Sequence, residues 1–226
     1  ATGRDSMVAN SVKVTVQTAP KSVALNITNK TIDLSSNERI FQLVGTISPS
    51  TANVYTHLKY TSSDKTVADV DENTGRVTAL KNGTATITVS TENNKTATCN
   101  VTVVTSPTGV TLDKSKATVD LSGTKTVELT AKIQPDTANI YTELSWISEA
   151  PEIAQVEKLN GSTVKVTGIS NGSAKIKVRT ENGKEATCVI VVETSITGIE
   201  IIPKTAKINM LEDPKLQLNK KLTPES

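Results

Sequence analysis

The chain repeats itself with a period close to 90 residues. The segment Asn82–Val89 (NGTATITV) returns as Asn171–Val178 (NGSAKIKV), and Thr51–Thr56 (TANVYT) returns as Thr137–Thr142 (TANIYT). The copies are offset by 89 and 86 residues, respectively. A period of this size is that of a whole small domain, because solenoid proteins repeat at about 20–50 residues. Features shared by both copies therefore indicate common scaffold, and we expect a binding or catalytic site to depart from the repeat.

Aligning the copies divides the chain into four segments. Residues 18–104 and 105–193 are predicted to be two complete domains. Residues 1–17 align with the final strand of a preceding domain, and residues 194–226 align with the opening strands of a further, truncated one. We therefore expect the natural protein to be longer. The alternative is that the C-terminal piece of one molecule pairs with the N-terminal piece of the next.

Composition favours strands and excludes several partners. The 25 basic and 23 acidic residues are scattered and leave a net charge of +2, which gives no electrostatic case for nucleic acid or a membrane surface. No apolar run approaches the roughly 20 residues of a membrane helix, so no membrane insertion is expected in this segment. Threonine, valine, serine, asparagine and isoleucine dominate, and β-branched side chains suit a pleated, half-buried surface.

Apolar and polar residues alternate in several short runs. In Thr84–Val89 the apolar residues Ala85, Ile87 and Val89 share one face, which indicates a strand with one solvated side. Turn signals such as Asn82-Gly83 separate these runs. About seven short strands per copy predict an all-β chain of antiparallel, two-sheet sandwiches.

The order of short motifs within each copy is also informative. The first copy contains Val23-Ala-Leu25, Ser48-Pro49, Tyr60-Thr-Ser62, Val67-Ala-Asp-Val70, Gly75-Arg-Val-Thr-Ala79, Gly83-Thr-Ala-Thr-Ile87 and Val101-Thr-Val103. The second contains Val110-Thr-Leu112, Gln134-Pro135, Trp146-Ile-Ser148, Ile153-Ala-Gln-Val156, Val164-Lys-Val-Thr-Gly168, Gly172-Ser-Ala-Lys-Ile176 and Val189-Ile-Val191. This order resembles the bacterial immunoglobulin-like domain of the group 2 type. The resemblance implies tandem Ig-like sandwiches in an extracellular setting, since members occur in bacterial surface proteins, adhesins of the intimin and invasin kind, and phage virion proteins. The family shares no catalytic residues that could be carried over.

Three residues could carry chemistry. Cys99 and Cys188 occupy the same position in the two copies, so neither domain can form an internal disulfide. Both lie on the apolar parity of a last strand and are predicted to be buried free thiols, with metal binding or a redox role as the alternatives. His57 is the only histidine, so a catalytic triad would depend on it, and it has no partners at zinc-ligand spacing. We predict no catalytic, cofactor-binding or metal-binding residues, and hence no enzyme and no cofactor in this segment.

The few aromatic residues are mostly explained by the scaffold. The chain has five: Phe41, Tyr55, Tyr60, Tyr141 and Trp146. Tyr60 and Trp146 align with each other where an immunoglobulin sandwich keeps its central core aromatic. Little remains for the exposed aromatic platform that is usual in glycan-binding modules.

The copies differ most in one hairpin. Its first version holds an acidic cluster before Gly75, namely Asp69, Asp71, Glu72 and Asn73. The spacing is not that of an EF-hand, and the second copy loses most of the acids, so a solvated turn is predicted. Segments 71–76 and 157–165 are nevertheless the best places to look for a private contact with a partner.

Taken together, these features favour a structural spacer. The joints between copies are only a few residues long and are not flexible Gly/Ser linkers, so we expect a fairly stiff array whose main partners are neighbouring Ig-like domains of the same chain. Its predicted setting is a bacterial cell surface or a phage virion, in contact with surface or virion proteins. The alternatives are an adhesion module that binds a host-surface ligand, and an accessory region of a longer secreted enzyme.

Overall fold

The computed structural model describes residues 12–202, 204–205, 207 and 217–223. Every helix-or-strand element in these ranges is a strand, which confirms the all-β prediction. The chain separates into two compact units, Ala1–Val104 and Thr105–Ser226. The described ranges hold no helix of the length and apolar character that crossing a membrane would require.

The first unit contains nine strands. They are β1 (Ser22–Leu25), β2 (Asn29–Asp33), β3 (Ile40–Gln42), β4 (Gly45–Ser48), β5 (Leu58–Ser62), β6 (Ala68–Val70), β7 (Arg76–Ala79), β8 (Gly83–Thr91) and β9 (Thr96–Val104). One sheet has the order β2-β9-β8-β5, and the others are β3-β7-β6 and the pair β1-β4.

The second unit contains eight strands of the same arrangement, followed by a hairpin. The strands are β10 (Gly109–Leu112), β11 (Lys116–Asp120), β12 (Thr126–Gln134), β13 (Leu144–Ser148), β14 (Ala154–Lys158), β15 (Thr163–Gly168), β16 (Gly172–Thr180) and β17 (Glu185–Glu193). The two sheets have the orders β10-β12-β15-β14 and β11-β17-β16-β13. The hairpin pairs β18 (Gly198–Ile202) with β19 (Asn219–Thr223).

Each unit buries one apolar face of each sheet in its own core. In the first unit Ile87 and Val89 of β8 are fully buried, and Ala85 is nearly so, as the alternation predicted. In the second unit Ile176 of β16 takes the place of Ile87, and Ile190 of β17 takes the place of Val101 on β9. Burying an aliphatic side chain of this size contributes about 1.5–3 kcal/mol, so these alternating positions are the main source of each domain's stability.

The sandwiches are not purely antiparallel. β2 runs parallel to β9, and β11 runs parallel to β17. The cause is a change of sheet: β1 pairs with β4, and after a short connection β2 pairs with β9 in the other sheet. Splitting the opening segment in this way also gives more strands than the seven predicted.

The predicted terminal pieces are only partly described. Residues 1–11 lie outside the described residues, and residues 12–20 carry no strand. β18 and β19 pair antiparallel, as β10 and β12 do, in the segment where opening strands are predicted. Leu216 lies outside the described residues, whereas Leu218 and Ile201 are exposed. The outer domain boundaries remain predictions.

Candidate functional site

The central aromatic of the first domain is anchored by its hydroxyl. Tyr60 on β5 is 5% exposed and belongs to the core. Its hydroxyl oxygen accepts a hydrogen bond from the Gly45 amide at 2.9 Å. Gly75, with a φ of 72°, packs against the ring so closely that a Cβ there would lie 2.8 Å from a ring carbon. The tyrosine is therefore held by backbone on two sides.

Trp146 occupies the corresponding place in the second domain with a different environment. Its ring packs against both hydrophobic clusters of that domain, as predicted, but it is only partly buried. The buried indole Nε1 has no hydrogen-bond partner in the part of the chain that the structure describes. An indole cannot reproduce the bond of the Tyr60 hydroxyl, and the Ala131 amide, at the position of Gly45, donates instead to the Ser162 carbonyl at 2.9 Å.

The two cysteines are buried free thiols, as predicted. Cys99 and Cys188 are 0% exposed and unpaired with each other. Each Sγ lies 3.9 Å from the carbonyl oxygen of the next residue, Asn100 or Val189. Burial raises the pKa of both thiols, with Asp113 adding to the effect at Cys188. Because the thiolate is the reactive form, these cysteines are unsuited to nucleophilic chemistry.

The remaining candidate, His57, lies in no cluster of metal-ligating side chains among the described residues. His57 is exposed in the loop before β5. Within the described ranges, no three His, Cys, Asp or Glu side chains lie close enough together to hold a metal ion. That this segment has no catalytic residue and no metal-binding residue is still a prediction from the sequence.

The acidic hairpin of the first domain uses its carboxylate internally. Asp71 Oδ1 accepts hydrogen bonds from the Thr74 amide and Thr74 hydroxyl, both at 2.8 Å, and from the Asn73 amide at 3.1 Å. The Thr74 bonds are the main reason that the pKa of Asp71 is lowered. In the second domain Asn160 Oδ1 accepts equivalent bonds from the amides of Ser162 and Thr163. A neutral amide performs the same task, which agrees with the predicted turn.

The segment that enters each domain is held by an asparagine from the repeated Thr-Ala-Asn motif. In the first unit Asn53 Oδ1 accepts a bond from the Thr18 amide at 2.8 Å, and its Nδ2 donates to the Val16 carbonyl at 2.8 Å. In the second unit Asn139 Oδ1 accepts a bond from the Thr105 amide at 2.8 Å. The backbone amide of each asparagine also donates to the threonine carbonyl.

A second asparagine holds the same segment two residues further on. Asn93 Nδ2 donates to the Pro20 carbonyl at 2.8 Å, and Asn182 Nδ2 donates to the Pro107 carbonyl at 2.8 Å. A threonine hydroxyl fixes each amide group, since Thr91 and Thr180 donate to the asparagine Oδ1 at 2.7 Å. Both threonines are buried, so the amide groups are pre-oriented.

The segment that leaves the second domain is also held by that domain. Asp120 Oδ1 accepts hydrogen bonds from the Ser195 amide at 3.0 Å and from the Ser122 hydroxyl at 2.7 Å. The Thr194 hydroxyl donates to Asn171 Oδ1 at 2.8 Å. Hydrogen bonds from Ser195, followed by those from Ser122, lower the pKa of Asp120 strongly. Residues 105–107 and 194–195 are therefore tied to the second unit rather than free.

Sequence reasoning did not identify these asparagines as functional. The asparagines recur in both copies, which indicates a structural role. The sequence does not show which groups they bind, because their hydrogen-bond partners lie about 35 to 75 residues away.

Tyr55 and Tyr141, next to the Thr-Ala-Asn motif, have a conformation that the sequence did not predict. Both are about half exposed and have φ values of 57° and 56°, a strained conformation for a tyrosine.

Comparisons with known proteins agree with this architecture. The family model described as "Bacterial Ig-like domain (group 2)" matches residues 40–101 and 107–191. A lacto-N-biosidase of Bifidobacterium bifidum is 34% identical over 88 residues, which is 38% of this chain and 7% of that protein. The chain thus spans a small part of this curated relative.

The similar solved structures have low sequence identity to this chain. Domains 1–6 of the surface layer protein SbsC are 20% identical with a TM-score of 0.38, covering 83% of this chain and 30% of that one. Cadherin domains 1–5 of protocadherin gamma B2 are 9% identical with a TM-score of 0.45, covering 81% and 41%. Likenesses at this level carry no argument about function.

Proposed function

Because the chain belongs to the bacterial Ig-like domain (group 2) family, we propose that it is a non-catalytic structural spacer within an extracellular protein. The observation that carries the proposal is that the joint segments are hydrogen-bonded to the domains. Asn53 and Asn93 hold the entering segment of the first domain, and Asn139 and Asn182 hold that of the second. A linker whose backbone is fixed in this way has few freely rotating residues, unlike a Gly/Ser chain.

The chemistry of the described residues supports a mechanical task. The thiols are buried and their pKa values are raised. In the acidic hairpin the Asp71 carboxylate accepts a hydrogen bond from the Thr74 amide of the same turn. Repeated polar residues such as Asn53 and Asn139 hold backbone in place, and repeated apolar residues such as Ile87 and Ile176 fill the cores. The features that the two domains share, a filled core and a fixed backbone, are those that an array needs to resist force or to set a distance.

The proposed setting is a bacterial cell surface, with a phage virion as the other setting that the family resemblance allows. Its partners would be neighbouring Ig-like domains of the same chain. The adhesion-module alternative requires a patch that differs between the domains.

A second candidate function is that of an accessory region in a longer secreted enzyme. It is favoured by the match to the lacto-N-biosidase, whose name denotes a glycosidase. In that case too, these two domains would support or position a catalytic domain located elsewhere in the polypeptide.

Surface display distinguishes a spacer from a sequence-specific binding module. Residues 1–226 are placed between a surface anchor and a terminal epitope on bacteria that carry a surface polysaccharide layer. We expect antibody access to the epitope to fall when residues 105–193 are removed, and to recover when a second copy of residues 18–104 takes their place. Failure of this exchange to restore access would contradict the spacer proposal.

A further inference from the structure

The outer face of one sheet in the first domain is a lattice of hydroxyl and amide side chains. The outward positions of β8 are Thr84, Thr86, Thr88 and Ser90. Those of β9 are Thr96, Thr98, Asn100 and Thr102. All are exposed or half-buried, and none carries a charge. We call these eight residues the threonine face.

Strand pairing sets the lattice in register. Thr84 lies opposite Thr102, Thr86 opposite Asn100, Thr88 opposite Thr98, and Ser90 opposite Thr96. Neighbouring strands in a sheet lie about 4.8 Å apart, and same-face residues along a strand lie about 6.7 Å apart. The flanking strands extend the pattern, because Thr61 of β5 pairs with Thr88 and Thr31 of β2 pairs with Thr102.

Part of the threonine face forms a shallow groove. It has a volume of about 280 Å³ and is lined by Ser63, Thr84, Ala85, Thr86, Asn100, Val101 and Thr102. The Thr86 hydroxyl donates to Asn100 Oδ1 at 3.3 Å, and Asn100 Nδ2 lies 3.4 Å from Asn29 Oδ1. These long bonds leave hydroxyl and amide groups with unused capacity toward solvent.

Charged groups are confined to the border. Lys59 lies opposite Ser90 at one corner and forms an ion pair with Glu72 at 3.4 Å. Asp33 lies at the opposite edge beside Val104, and its carboxylate accepts a bond from the Ser35 amide.

The second domain shows that the fold does not require this face. The matching positions of β16 are Ser173, Lys175, Lys177 and Arg179, and those of β17 are Glu185, Thr187, Val189 and Val191. Lys177 there bridges Glu149 and Glu185 at 3.3 and 3.7 Å. The same sheet therefore tolerates charges, which favour solubility, and the uncharged threonine face is a departure from the repeat.

We propose that the threonine face binds an uncharged polysaccharide. A charged ligand would need an opposite charge on the surface, and the face offers none, whereas a neutral sugar polymer matches both its lack of charge and its mixed donors and acceptors. The proposal adds a lateral contact to the spacer function and does not depend on it.

The binding mode differs from that of aromatic sugar platforms. Each hydrogen bond exchanged with water contributes little, so a single sugar would bind weakly. A polymer can contact many lattice points at once, because its hydroxyl groups recur along its length as the threonines recur along the strands. The threonine face therefore selects polymers over monosaccharides.

Co-sedimentation with insoluble cellulose, chitin and curdlan tests the proposal, with alginate beads as the anionic comparison. We expect residues 1–226 to bind at least one of the three neutral polymers and to show no preference for alginate. The isosteric variant Thr86→Val/Thr88→Val/Thr98→Val removes hydroxyls without adding charge. It should weaken binding roughly tenfold, as the loss of several hydrogen bonds implies.

A graft between the domains supplies matched variants. Thr86→Lys/Thr88→Lys/Ser90→Arg installs the residues that the second domain carries at these positions, so the fold should be kept, and binding should fall at least as far. The control Lys175→Thr/Lys177→Thr/Arg179→Ser changes the second domain and should not weaken binding. Circular dichroism melting of each variant verifies folding. Absence of binding to all three neutral polymers, or unchanged binding by the folded valine and graft variants, would overturn the proposal.

Discussion

The hydroxyl of Tyr60 accepts a 2.9 Å hydrogen bond from the amide of Gly45, and the second domain replaces both partners together. Trp146 stands in the place of Tyr60, and Ala131 stands in the place of Gly45. A Cβ at Gly45 would lie 2.6 Å from the Leu58 side chain and 3.2 Å from the Tyr60 hydroxyl. The bond also coincides with the break between β3 and β4, whereas β12 is continuous.

Removing the Tyr60 hydroxyl should leave the Gly45 amide without its partner. We expect Tyr60→Phe to destabilise the first domain by about 1–3 kcal/mol, the cost of an unsatisfied buried donor. Chemical denaturation measures the change. Tyr55→Phe is the matched control, because the Tyr55 ring is about half exposed, and it should have little effect. Equal stability of Tyr60→Phe and the wild type would show that water replaces the hydroxyl.

Trp146 should matter for packing rather than for hydrogen bonding. Its ring contacts both clusters of the second domain, but its Nε1 bonds to nothing in the described ranges. We expect Trp146→Ala to destabilise that domain by about 3 kcal/mol, the lower end for deleting a large aromatic, because the ring is only partly buried. Loss of tryptophan fluorescence prevents its use as a probe, so circular dichroism follows unfolding. An unchanged melting temperature would mean that the ring serves a surface contact.

Much of the core could be predicted from the sequence, because apolar residues alternate with polar ones along the strands. Ala85, Ile87 and Val89 alternate with threonines, and their burial follows from strand geometry alone. The parallel pairing of β2 with β9 could not be predicted, because an apolar pattern gives the face of a strand and not its neighbour. The tasks of Asn53 and Asn139 depend on backbone groups distant in sequence, so only the folded chain shows them.

The cysteines should resist modification in the folded protein. Cys99 and Cys188 are fully buried, and burial raises the pKa of both thiols. We expect native labelling by a thiol reagent to be slower than labelling in denaturant by roughly a hundredfold or more, since reaction requires the domain to open. Rapid native labelling of both residues would contradict their burial.

The hydrogen bond from the Ser195 amide to the Asp120 carboxylate should weaken at low pH. The folded pKa of Asp120 lies below the unfolded value of 3.8, so the carboxylate bonds are fully present above about pH 4 and are lost as the pH falls through the folded pKa. Amide NMR of Ser195 should therefore titrate only well below pH 4. Asp120→Asn keeps an acceptor oxygen and should abolish the titration. A Ser195 shift with an ordinary aspartate midpoint would contradict the hydrogen bonds.

Single-molecule force spectroscopy of residues 1–226 tests the central claim most directly. Two tandem sandwiches that act as a mechanical spacer should unfold one at a time, each releasing the chain of one domain, about 300 Å at full extension. We predict two such events of nearly equal length, with refolding after relaxation. A single event that releases both domains together, or extension without discrete unfolding events, would contradict the account.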